Sequence, residues 1–321
     1  MSKQVIRHDG AHINIKFLAE STGTDNRPLR LSPPIPKGSP NHVILERAMH
    51  ELDQLVGLEN VKKFIYEIYA LLYVMKKRKE MGLKTIPHTL HMIFKGNPGT
   101  GKTTVARIIG RMFRDIGILE KGHLLEVERG DLVGEYIGHT AIKTREIVKK
   151  ALGGILFIDE AYSLARGGEK DFGREAIDCL VKAMEDFRDQ FILILAGYPR
   201  EMDYFLHSNP GLPSRFPIVI TFNNYTIDEL MAIAEQMVKE REYKMTYGAK
   251  QKLRQLLEEE WRKKPINFSN GRLVRNLIEQ AIREHAVRLL DTQIESREEL
   301  MTLTVEDFKP NGYGDEEGFY R

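Results

Sequence analysis

The stretch GNPGTGKT, residues Gly96 to Thr103, decides the fold of this chain. It fits the pattern G-x-x-x-x-G-K-[ST], and it lies between an apolar run (90–96) and a helical pattern that begins at Lys102. Glycines allow backbone N–H groups to turn inward around a phosphate, and the start of a helix adds a favourable dipole. Because strand, loop and helix follow in the right order, we predict a phosphate-binding loop rather than a tight turn with an exposed lysine.

Two side chains of this loop have predicted roles in binding a nucleoside triphosphate and Mg²⁺. Lys102 is expected to reach the β- and γ-phosphates, and the Thr103 hydroxyl is expected to bind Mg²⁺. The other predicted contacts with the nucleotide come from the loop itself and from the residue after it: Gly96, Asn97, Pro98, Gly99, Thr100, Gly101 and Thr104.

Five short apolar runs, separated by helical patterns, surround the loop. Alternating strands and helices are typical of a parallel sheet covered on both faces. We therefore predict an α/β fold, a three-layer phosphate-loop domain with a five-stranded parallel sheet. The predicted strands are LHMIFKG (90–96), LLEVERG (124–130), GILFIDE (154–160), FILILAG (191–197) and IVITFNN (218–224).

Two adjacent acids follow the third apolar run. Asp159 and Glu160 are expected at the carboxyl edge of the sheet, where ligands bind in parallel sheets. There Asp159 can hold the Mg²⁺ water shell, and Glu160 can polarise the attacking water. The alternative is an ordinary acidic strand end; with the phosphate loop upstream, hydrolysis of the triphosphate is the better interpretation.

The pattern changes at both ends of the α/β region. Residues 1–44, rich in Pro, Ser and Gly before residue 40, are predicted to be an arm or linker, and 45–224 the large domain. Three helical patterns follow, the first opened by a capping box of Thr226 and Glu229. We predict a small all-helical domain over 225–305 and a tail over 306–321.

Composition limits the classes of partner. The 48 basic and 46 acidic residues give a net charge of +2, which argues against a protein held on nucleic acid by bulk charge. The single cysteine, Cys179, has helical spacing and is interpreted as a core residue of a protein in a reducing compartment. No run of 18 apolar residues and no signal-peptide core is present, so a cytoplasmic protein without a membrane segment is expected.

Taken together, these motifs resemble the AAA+ ATPase superfamily. Within it, the resemblance is to the branch of stage V sporulation protein K and the red-type Rubisco activase CbbX, and more to the former. It covers about residues 45 to 295, and it implies an α/β ATPase domain followed by a helical lid. The segments that carry it are LDQLVGLENVKK, FKGNPGTGKTTVAR, LVGEYIGHT, GGILFIDEAYSL and SNPGLPSRF.

The resemblance implies roles for further residues. Val56 and Gly57 match the segment that lines the adenine pocket, and Arg215 matches an arginine finger that reaches the γ-phosphate held by a neighbouring subunit. Arg272 matches the sensor 2 arginine at the start of a lid helix, with Arg275 as the weaker candidate. A finger that acts on a neighbour implies a ring of identical subunits, most often a hexamer.

One position departs from the family pattern. Where most of the superfamily has a polar sensor 1 residue, commonly Asn, at the end of the fourth strand, this chain has Tyr198. Asn209 and Arg200 are the alternatives, and the sequence does not rank them.

The connection GDLVGEYIGHT (130–140) follows the second strand. In ring-forming relatives this connection faces the central channel, where an aromatic–hydrophobic–glycine triplet grips the substrate chain. Tyr136, Ile137 and Gly138 match that triplet. A tyrosine packed against its own domain is the alternative, which the exposure of the ring distinguishes.

Three functions compete on this scaffold. The favoured one is an ATP-driven ring that remodels a protein threaded through its pore, in spore formation or, alternatively, as a Rubisco activase-type remodeller. A nucleic-acid motor is weakened by the near-neutral charge, since the basic run KKRKEMGLK (76–84) suits a solvated helix end. A small-molecule kinase explains the phosphate loop, but neither the arginine finger nor the helical domain.

Overall fold

The computed structural model describes residues 40–85, 89–136, 138–167, 171–209, 211–263, 268–290 and 296–309. The predicted arm lies outside the described residues up to 39, as do Ile137 of the predicted triplet and 310–321 of the predicted tail.

Five parallel strands form the main sheet in the spatial order β2-β3-β4-β1-β5. Each of the five apolar runs contains one of them, which confirms the predicted sheet. Ile155 pairs with Leu124 on one side and with Ile192 on the other, so β3 is hydrogen-bonded along both edges. The strands are β1 (Met92–Gly96), β2 (Leu124–Val127), β3 (Ile155–Ile158), β4 (Ile192–Gly197) and β5 (Ile218–Phe222).

Helices precede the sheet and connect its strands. The second of them ends in a basic turn that includes Lys77, Arg78 and Lys79, followed by Gly82 in a left-handed conformation, as a solvated helix end does. The helices are α1 (Pro40–Asp53), α2 (Glu59–Glu80), α3 (Lys102–Asp115), α4 (Arg129–Leu132), α5 (His139–Ala151), α6 (Gly173–Asp186) and α7 (Pro199–Ser208).

The strand order assigns the connecting helices to the two faces of the sheet. The step from β1 to β2 crosses β4 and β3, whereas the steps β2–β3, β3–β4 and β4–β5 run in the opposite direction. Since crossovers between parallel strands are right-handed, α3 covers one face and α5, α6 and α7 cover the other. The carboxyl ends of β1 and β4 therefore mark the point where the winding reverses, which is where ligands bind in such sheets.

The core explains why the apolar runs become strands. All four residues of β3 and all six of β4 are buried, as expected for central strands covered on both faces. On one side the sheet packs against Leu132, Val148, Leu180 and Phe205, among other residues. The sequence predicted a core residue at Cys179 on α6, but this cysteine is half-buried and is not among the buried core residues. Burial still raises the pKa of its thiol, which argues against a reactive thiolate.

The C-terminal segment is helical, with one small addition. The Thr226 side chain accepts from the Glu229 N–H, and the Glu229 carboxylate accepts from the Thr226 N–H, so the predicted capping box is present. A two-residue parallel pair, β6 (Lys244–Met245) with β7 (Thr302–Leu303), was not expected from the sequence. The helices are α8 (Ile227–Glu240), α9 (Tyr247–Lys263), α10 (Asn270–Leu290) and α11 (Arg297–Met301).

This packed segment continues to residue 309, beyond the predicted end at 305. Asp307 is buried and accepts two hydrogen bonds from the Arg288 guanidinium, at 2.8 and 3.0 Å. Phe308 is buried as well. Within the described part of the chain, no helix combines the length and the apolar character needed to span a bilayer.

Two compact units can be distinguished, and neither is one continuous stretch of sequence. The first unit contains 40–53, Glu59–Lys95 and Thr103–Thr221, and thus the strands and helices of the α/β region. The second contains Gln54–Leu58, Gly96–Lys102 and 222–309, so the phosphate loop belongs to the same unit as the helical segment. We call the part of the second unit from 222 to 309 the lid.

Candidate active site

The phosphate loop has the backbone that an anion cradle requires. Gly99 and Gly101 have φ angles of +70° and +93°, in the left-handed region that favours glycine. The Thr100 hydroxyl donates to the Asn97 carbonyl at 2.8 Å, which closes the turn internally. The Lys102 ammonium donates to the Gly96 and Asn97 carbonyls, at 2.8 and 3.0 Å, so the lysine lies along the loop that it is predicted to serve.

Gly99 is in close contact with the start of α10. A Cβ at this position would lie 2.4 Å from the Ser269 carbonyl oxygen and 2.6 Å from the Arg272 nitrogen, so only glycine fits. The backbone of the sensor 2 candidate is therefore adjacent to the phosphate loop, and its side chain is exposed in the first turn of α10. Arg275, also exposed, lies one turn further along.

The adenine-pocket candidates lie in the same unit as the phosphate loop. Val56 and Gly57 are half-buried, and Gly57 has a φ of +63°. A Cβ on Gly57 would meet the Glu229 carboxylate at 2.3 Å, so the capping box of α8 and this segment pack against each other. The structure thus brings Val56, Gly57, Gly96–Lys102 and Arg272 together, although they are far apart in sequence.

A second group of predicted residues lies at the carboxyl edge of the sheet. Asp159 follows β3 directly, and its carboxylate accepts from the Glu160 N–H at 3.0 Å. Glu160 is exposed and has φ +46° and ψ 43°, which places it in the left-handed region. This conformation costs a non-glycine residue free energy and is typical of functional sites. It directs Glu160 away from the path of the buried strand.

Glu126 is a carboxylate at this edge that sequence reasoning missed. It lies on β2, and its Oε1 atom is 3.3 Å from the Thr103 hydroxyl, which donates to it. The Arg107 guanidinium pairs with its other oxygen at 3.3 Å. A single charged residue in an apolar strand pattern was the available signal.

Tyr198 is one of the three sensor 1 alternatives. It follows β4, and its ring lies 5.9 Å from that of Tyr162, centroid to centroid. Burial raises the pKa of the Tyr162 phenol, and the Glu160 carboxylate acts in the same direction. Asn209 lies at the opposite end of α7, where its amide donates to the Phe205 carbonyl. Arg200 is exposed in the first turn of that helix.

The tyrosine of the predicted triplet is exposed rather than packed into its domain. Tyr136 is 65% exposed, and it lies in the connection between α4 and α5. Its ring contacts that of His139 edge to face, with centroids 5.4 Å apart. Gly138 follows with a φ of +81° and caps α5. Beside the ring lies an open groove of about 430 Å³, lined by Gly134, Glu135, Tyr136, His139, Ile142, Lys143 and Glu146.

The base of this loop is fixed by buried hydroxyls. The Gly134 N–H donates to the Thr140 hydroxyl at 2.9 Å, and the Thr144 hydroxyl donates to the Leu132 carbonyl at 3.1 Å. Both threonines are fully buried. The stretch GDLVGEYIGHT is therefore not loop throughout, because α4 includes its first three residues and α5 its last two.

A charged contact joins the same region to the segment that follows Glu160. Arg129, in α4, donates to the Ser163 carbonyl at 2.7 Å and to the Asp171 carboxylate at 2.5 Å. This hydrogen bond holds the pKa of Asp171 below its usual range. Asp171 also accepts from the N–H of Gly173, the first residue of α6, at 3.0 Å.

The arginine-finger candidate is paired within its own chain. Arg215 donates to the Gly211 carbonyl at 2.8 Å and to the Glu185 carboxylate at 2.5 Å. Its side chain is about one-third exposed, and Glu185 is more exposed. Neither of these partners belongs to the two groups of candidate site residues described above.

Two family models match the chain. The model described as "ATPase family associated with various cellular activities (AAA)" matches residues 92–224, and the model "AAA lid domain" matches residues 226–317.

Curated relatives match most of the chain. Stage V sporulation protein K of Bacillus subtilis is 58% identical over 84% of this chain and 84% of its own length. Protein CbxX (plasmid) of Cupriavidus necator is 46% identical over 79% and 80%. A chloroplastic ribulose bisphosphate carboxylase/oxygenase activase of Cyanidioschyzon merolae is 44% identical over 82% and 90%.

Solved structures share the fold at low identity. The Thermotoga maritima RuvB Holliday junction branch migration motor has a TM-score of 0.53 at 21% identity, over 80% of this chain and 68% of that one. The FIGL-1 AAA domain has a TM-score of 0.55 at 19% identity, over 79% of each chain. At these identities the likeness concerns the fold alone.

Proposed function

This chain belongs to the AAA ATPase family, in the branch of stage V sporulation protein K and the CfxQ-type proteins, and on that premise we propose that it hydrolyses ATP to remodel a protein substrate. The observation that carries the proposal is Glu160, an exposed carboxylate held in a left-handed conformation directly after the buried strand β3.

The residues present fit ATP and Mg²⁺. The left-handed glycines of the phosphate loop and the start of α3 suit the β- and γ-phosphates, towards which the Lys102 ammonium would turn. Val56 and Gly57 would contact the adenine, and Arg272 would respond to the phosphates. The Thr103 hydroxyl and the Asp159 carboxylate are the hard oxygen donors that Mg²⁺ prefers. When bound, Mg²⁺ supplies charge neutralisation on the phosphate oxygens.

Hydrolysis requires a group that takes a proton from water as the water attacks the γ-phosphate. Glu160 has that role in the proposal, with Tyr198 as the polar sensor 1 residue beside it. Arg215 of a neighbouring copy would neutralise charge that develops on the γ-phosphate, and its pairing with Glu185 would keep it extended until then. A homo-hexameric ring provides one such neighbour for each site.

The exposed Tyr136 ring favours a polypeptide substrate. An aromatic side chain offers a large apolar contact with few rotatable bonds, which suits a grip on many different sequences. We propose that the triplet of Tyr136, Ile137 and Gly138 lines a central pore. By its likeness to stage V sporulation protein K, the chain is proposed to act in spore formation, in the cytoplasm of the mother cell or forespore.

Two alternatives remain as test outcomes. A Rubisco activase-type remodeller would be recognised by reactivation of inhibited ribulose bisphosphate carboxylase, given the relative of that name. A nucleic-acid motor would show tight DNA binding that weakens steeply with salt, and this result would contradict the protein-remodelling proposal.

The test of the proposal is Glu160→Gln. The glutamine keeps the size of the side chain but cannot accept the proton, so steady-state ATP turnover should fall by about a hundredfold or more. The dissociation constant for ATP, measured by calorimetry, should change little.

Glu120→Gln is the matched control, because Glu120 is an exposed carboxylate that precedes β2 at the amino edge of the sheet. It should hydrolyse ATP at the wild-type rate. Normal turnover by Glu160→Gln would show that the proton acceptor has been assigned wrongly.

A further inference from the structure

Asn270 is a buried polar residue to which neither the family motifs nor the proposed reaction assigns a role. It begins α10, has no exposed surface, and has a φ of +45°. Asparagine is one of the few residues other than glycine that adopt this conformation routinely. Position 270 therefore combines a fully buried amide with a left-handed backbone.

The amide of Asn270 is hydrogen-bonded on both sides. Its Nδ2 has two N–H bonds and three acceptors within reach: the Phe268 carbonyl at 2.8 Å, the Asn224 side-chain oxygen at 2.9 Å and the Pro98 carbonyl at 3.3 Å, so one N–H is shared between two of them. Its Oδ1 accepts from the Tyr225 N–H at 2.9 Å. The side chain thus joins the start of α10, the start of the lid and the phosphate loop.

Three consecutive carbonyls of the phosphate loop are bound by lid residues. The Pro98 carbonyl accepts from Asn270, the Gly99 carbonyl accepts from the Gly271 N–H at 3.1 Å, and the Thr100 carbonyl accepts from the Tyr225 hydroxyl at 3.2 Å. Residues Gly96 to Lys102 and the lid form one compact unit, which agrees with this set of contacts.

The direction of these carbonyls has a consequence for anion binding. In a planar trans peptide the C=O group and the following N–H group point in opposite directions. Hydrogen bonds that hold the Pro98, Gly99 and Thr100 carbonyls towards the lid therefore hold the next three N–H groups away from it. These are the N–H groups of Gly99, Thr100 and Gly101, which a phosphate-binding loop needs on one side.

We propose that Asn270, assisted by Tyr225, is a positioning residue that sets the phosphate loop for the β-phosphate of the nucleotide. It acts through the loop carbonyls and makes no contact with the phosphate itself. Because it lies two residues before Arg272, the same amide also fixes the start of the helix that carries the sensor 2 candidate. This inference rests on the proposed nucleotide binding and adds the residue that preorganises the loop.

The test compares ADP affinity in full-length variants, because ADP carries the β-phosphate and is not turned over. Asn270→Gly keeps the left-handed backbone without strain but removes the amide. Asn270→Asp keeps an acceptor for the Tyr225 N–H but removes the donor. Each should raise the dissociation constant for ADP by about tenfold or more, as the loss of two or more buried hydrogen bonds does.

Asp307→Asn is the matched control for lid stability. It weakens another buried polar cluster of the lid, which Asp307 forms with Arg288 and Thr304 and which includes no residue of the phosphate loop. If Asp307→Asn lowers the free energy of unfolding in urea as much as the Asn270 variants do, it should still change the ADP dissociation constant by less than about twofold. Tyr225→Phe, which removes one hydroxyl and fills the same space, should weaken ADP binding by about fivefold.

The outcomes separate this inference from the proposed function. If the wild-type chain binds no ADP, the proposed function fails. Suppose that the wild type binds ADP and that the Asn270 variants bind ADP as tightly, or with an affinity reduced no more than that of Asp307→Asn. Asn270 then has only a structural role and the inference is overturned. Should both Asn270 variants fail to fold, wild-type affinity in Tyr225→Phe would overturn it.

Discussion

At the scale of single residues, two residues with proposed roles, Glu160 and Asn270, have a left-handed backbone. Among the described residues, the non-glycine positions with positive φ are Leu58, Glu160, Glu242 and Asn270. Leu58 follows the adenine-pocket candidates, Glu160 is the proposed proton acceptor, and Asn270 holds the phosphate loop. Such conformations persist only where surrounding contacts compensate for their cost. Glu242 follows the end of α8 and belongs to no candidate site, so the left-handed backbone supports the roles of Glu160 and Asn270 individually.

His91 gives a prediction at this scale. It is buried before β1, and its Nδ1 accepts from the Leu193 N–H at 2.9 Å, so the neutral ring carries its proton on Nε2. Burial lowers the pKa of His91 to about 4 from an ordinary value of 6.5, and the Arg188 guanidinium acts in the same direction. The unfolded chain thus binds a proton between these pH values that the folded chain does not.

The contribution of neutral His91 to the free energy of unfolding should consequently be fully present above pH 6.5. It should be lost as the pH is lowered towards 4. The loss attributable to His91 is about 3 kcal/mol. In His91→Asn the amide oxygen can replace Nδ1 as an acceptor, and the proton-binding group is gone. When the free energy of unfolding is measured with urea at several pH values between 4 and 8, it should change less steeply with pH for this variant than for the wild type. Equal slopes would mean that His91 is not the group responsible.

The sequence predicted single residues where their spacing defines a motif, and missed them where tertiary contacts define the role. The order of glycines, lysine and threonine identified the phosphate loop, because that loop is built from consecutive residues. Asn270 reads in sequence as an ordinary helix start, and its partner Pro98 is far away in the chain. Glu126 reads as a strand residue facing solvent, and only the fold brings it to the Thr103 hydroxyl.

At the scale of elements, the proposed substrate loop has a hydrogen-bonded base and an exposed tip at Tyr136. Buried Thr140 and Thr144 fix both ends of the connection, and Arg129 links its first turn to the segment after Glu160. A change at the acidic edge can therefore reach α4 through a hydrogen-bonded path. The groove beside Tyr136 offers an extended chain both an aromatic face and the charged groups of Lys143 and Glu146.

Tyr136→Ala is the prediction for this element. The substitution removes an exposed ring, so stability and basal ATP turnover should stay within about twofold of wild type. Stimulation of ATP turnover by an unfolded polypeptide such as casein should be lost, because the grip on the chain is lost. Steady-state ATPase assays with and without the polypeptide measure both quantities.

Tyr204→Ala is the control, since Tyr204 is 76% exposed on α7 and belongs to the same compact unit. It should retain full stimulation. Loss of basal turnover in Tyr136→Ala would instead assign the tyrosine a structural role, and equal loss of stimulation in both variants would remove the case for a specific grip.

Helices and strands were predicted correctly where the run of apolar residues is long enough for its spacing to be recognised. The five main strands and the helices between them follow from such patterns, because central strands are apolar throughout and amphipathic helices repeat every 3.6 residues. The pair β6–β7 has two residues on each side, too few to show alternation. The helix α4 is one turn long and is stabilised by a capping box of Glu128 and Asp131. The sequence prediction included neither.

At the scale of the whole molecule, the account requires more than one copy of the chain. Arg215, the proposed finger, pairs with Glu185 on α6 of its own chain. An exposed arginine held by an exposed carboxylate contributes little to stability, so the pair is better explained by the position in which it holds the guanidinium. In the proposed ring, a head-to-tail arrangement of identical chains would give every site an Arg215 from the next copy.

The central claim is that ATP is hydrolysed at sites that a neighbouring copy completes, and mixing two inactive variants tests it most directly. Glu160→Gln lacks the proton acceptor, and Arg215→Ala lacks the finger, so each alone should lose turnover by about a hundredfold or more. Where an Arg215→Ala subunit receives Arg215 from an adjacent Glu160→Gln subunit, the site is complete. Co-assembly in equal amounts should restore about a quarter of wild-type turnover. If the mixture hydrolyses ATP no faster than the two variants measured separately, Arg215 does not act on a neighbour and the account is contradicted.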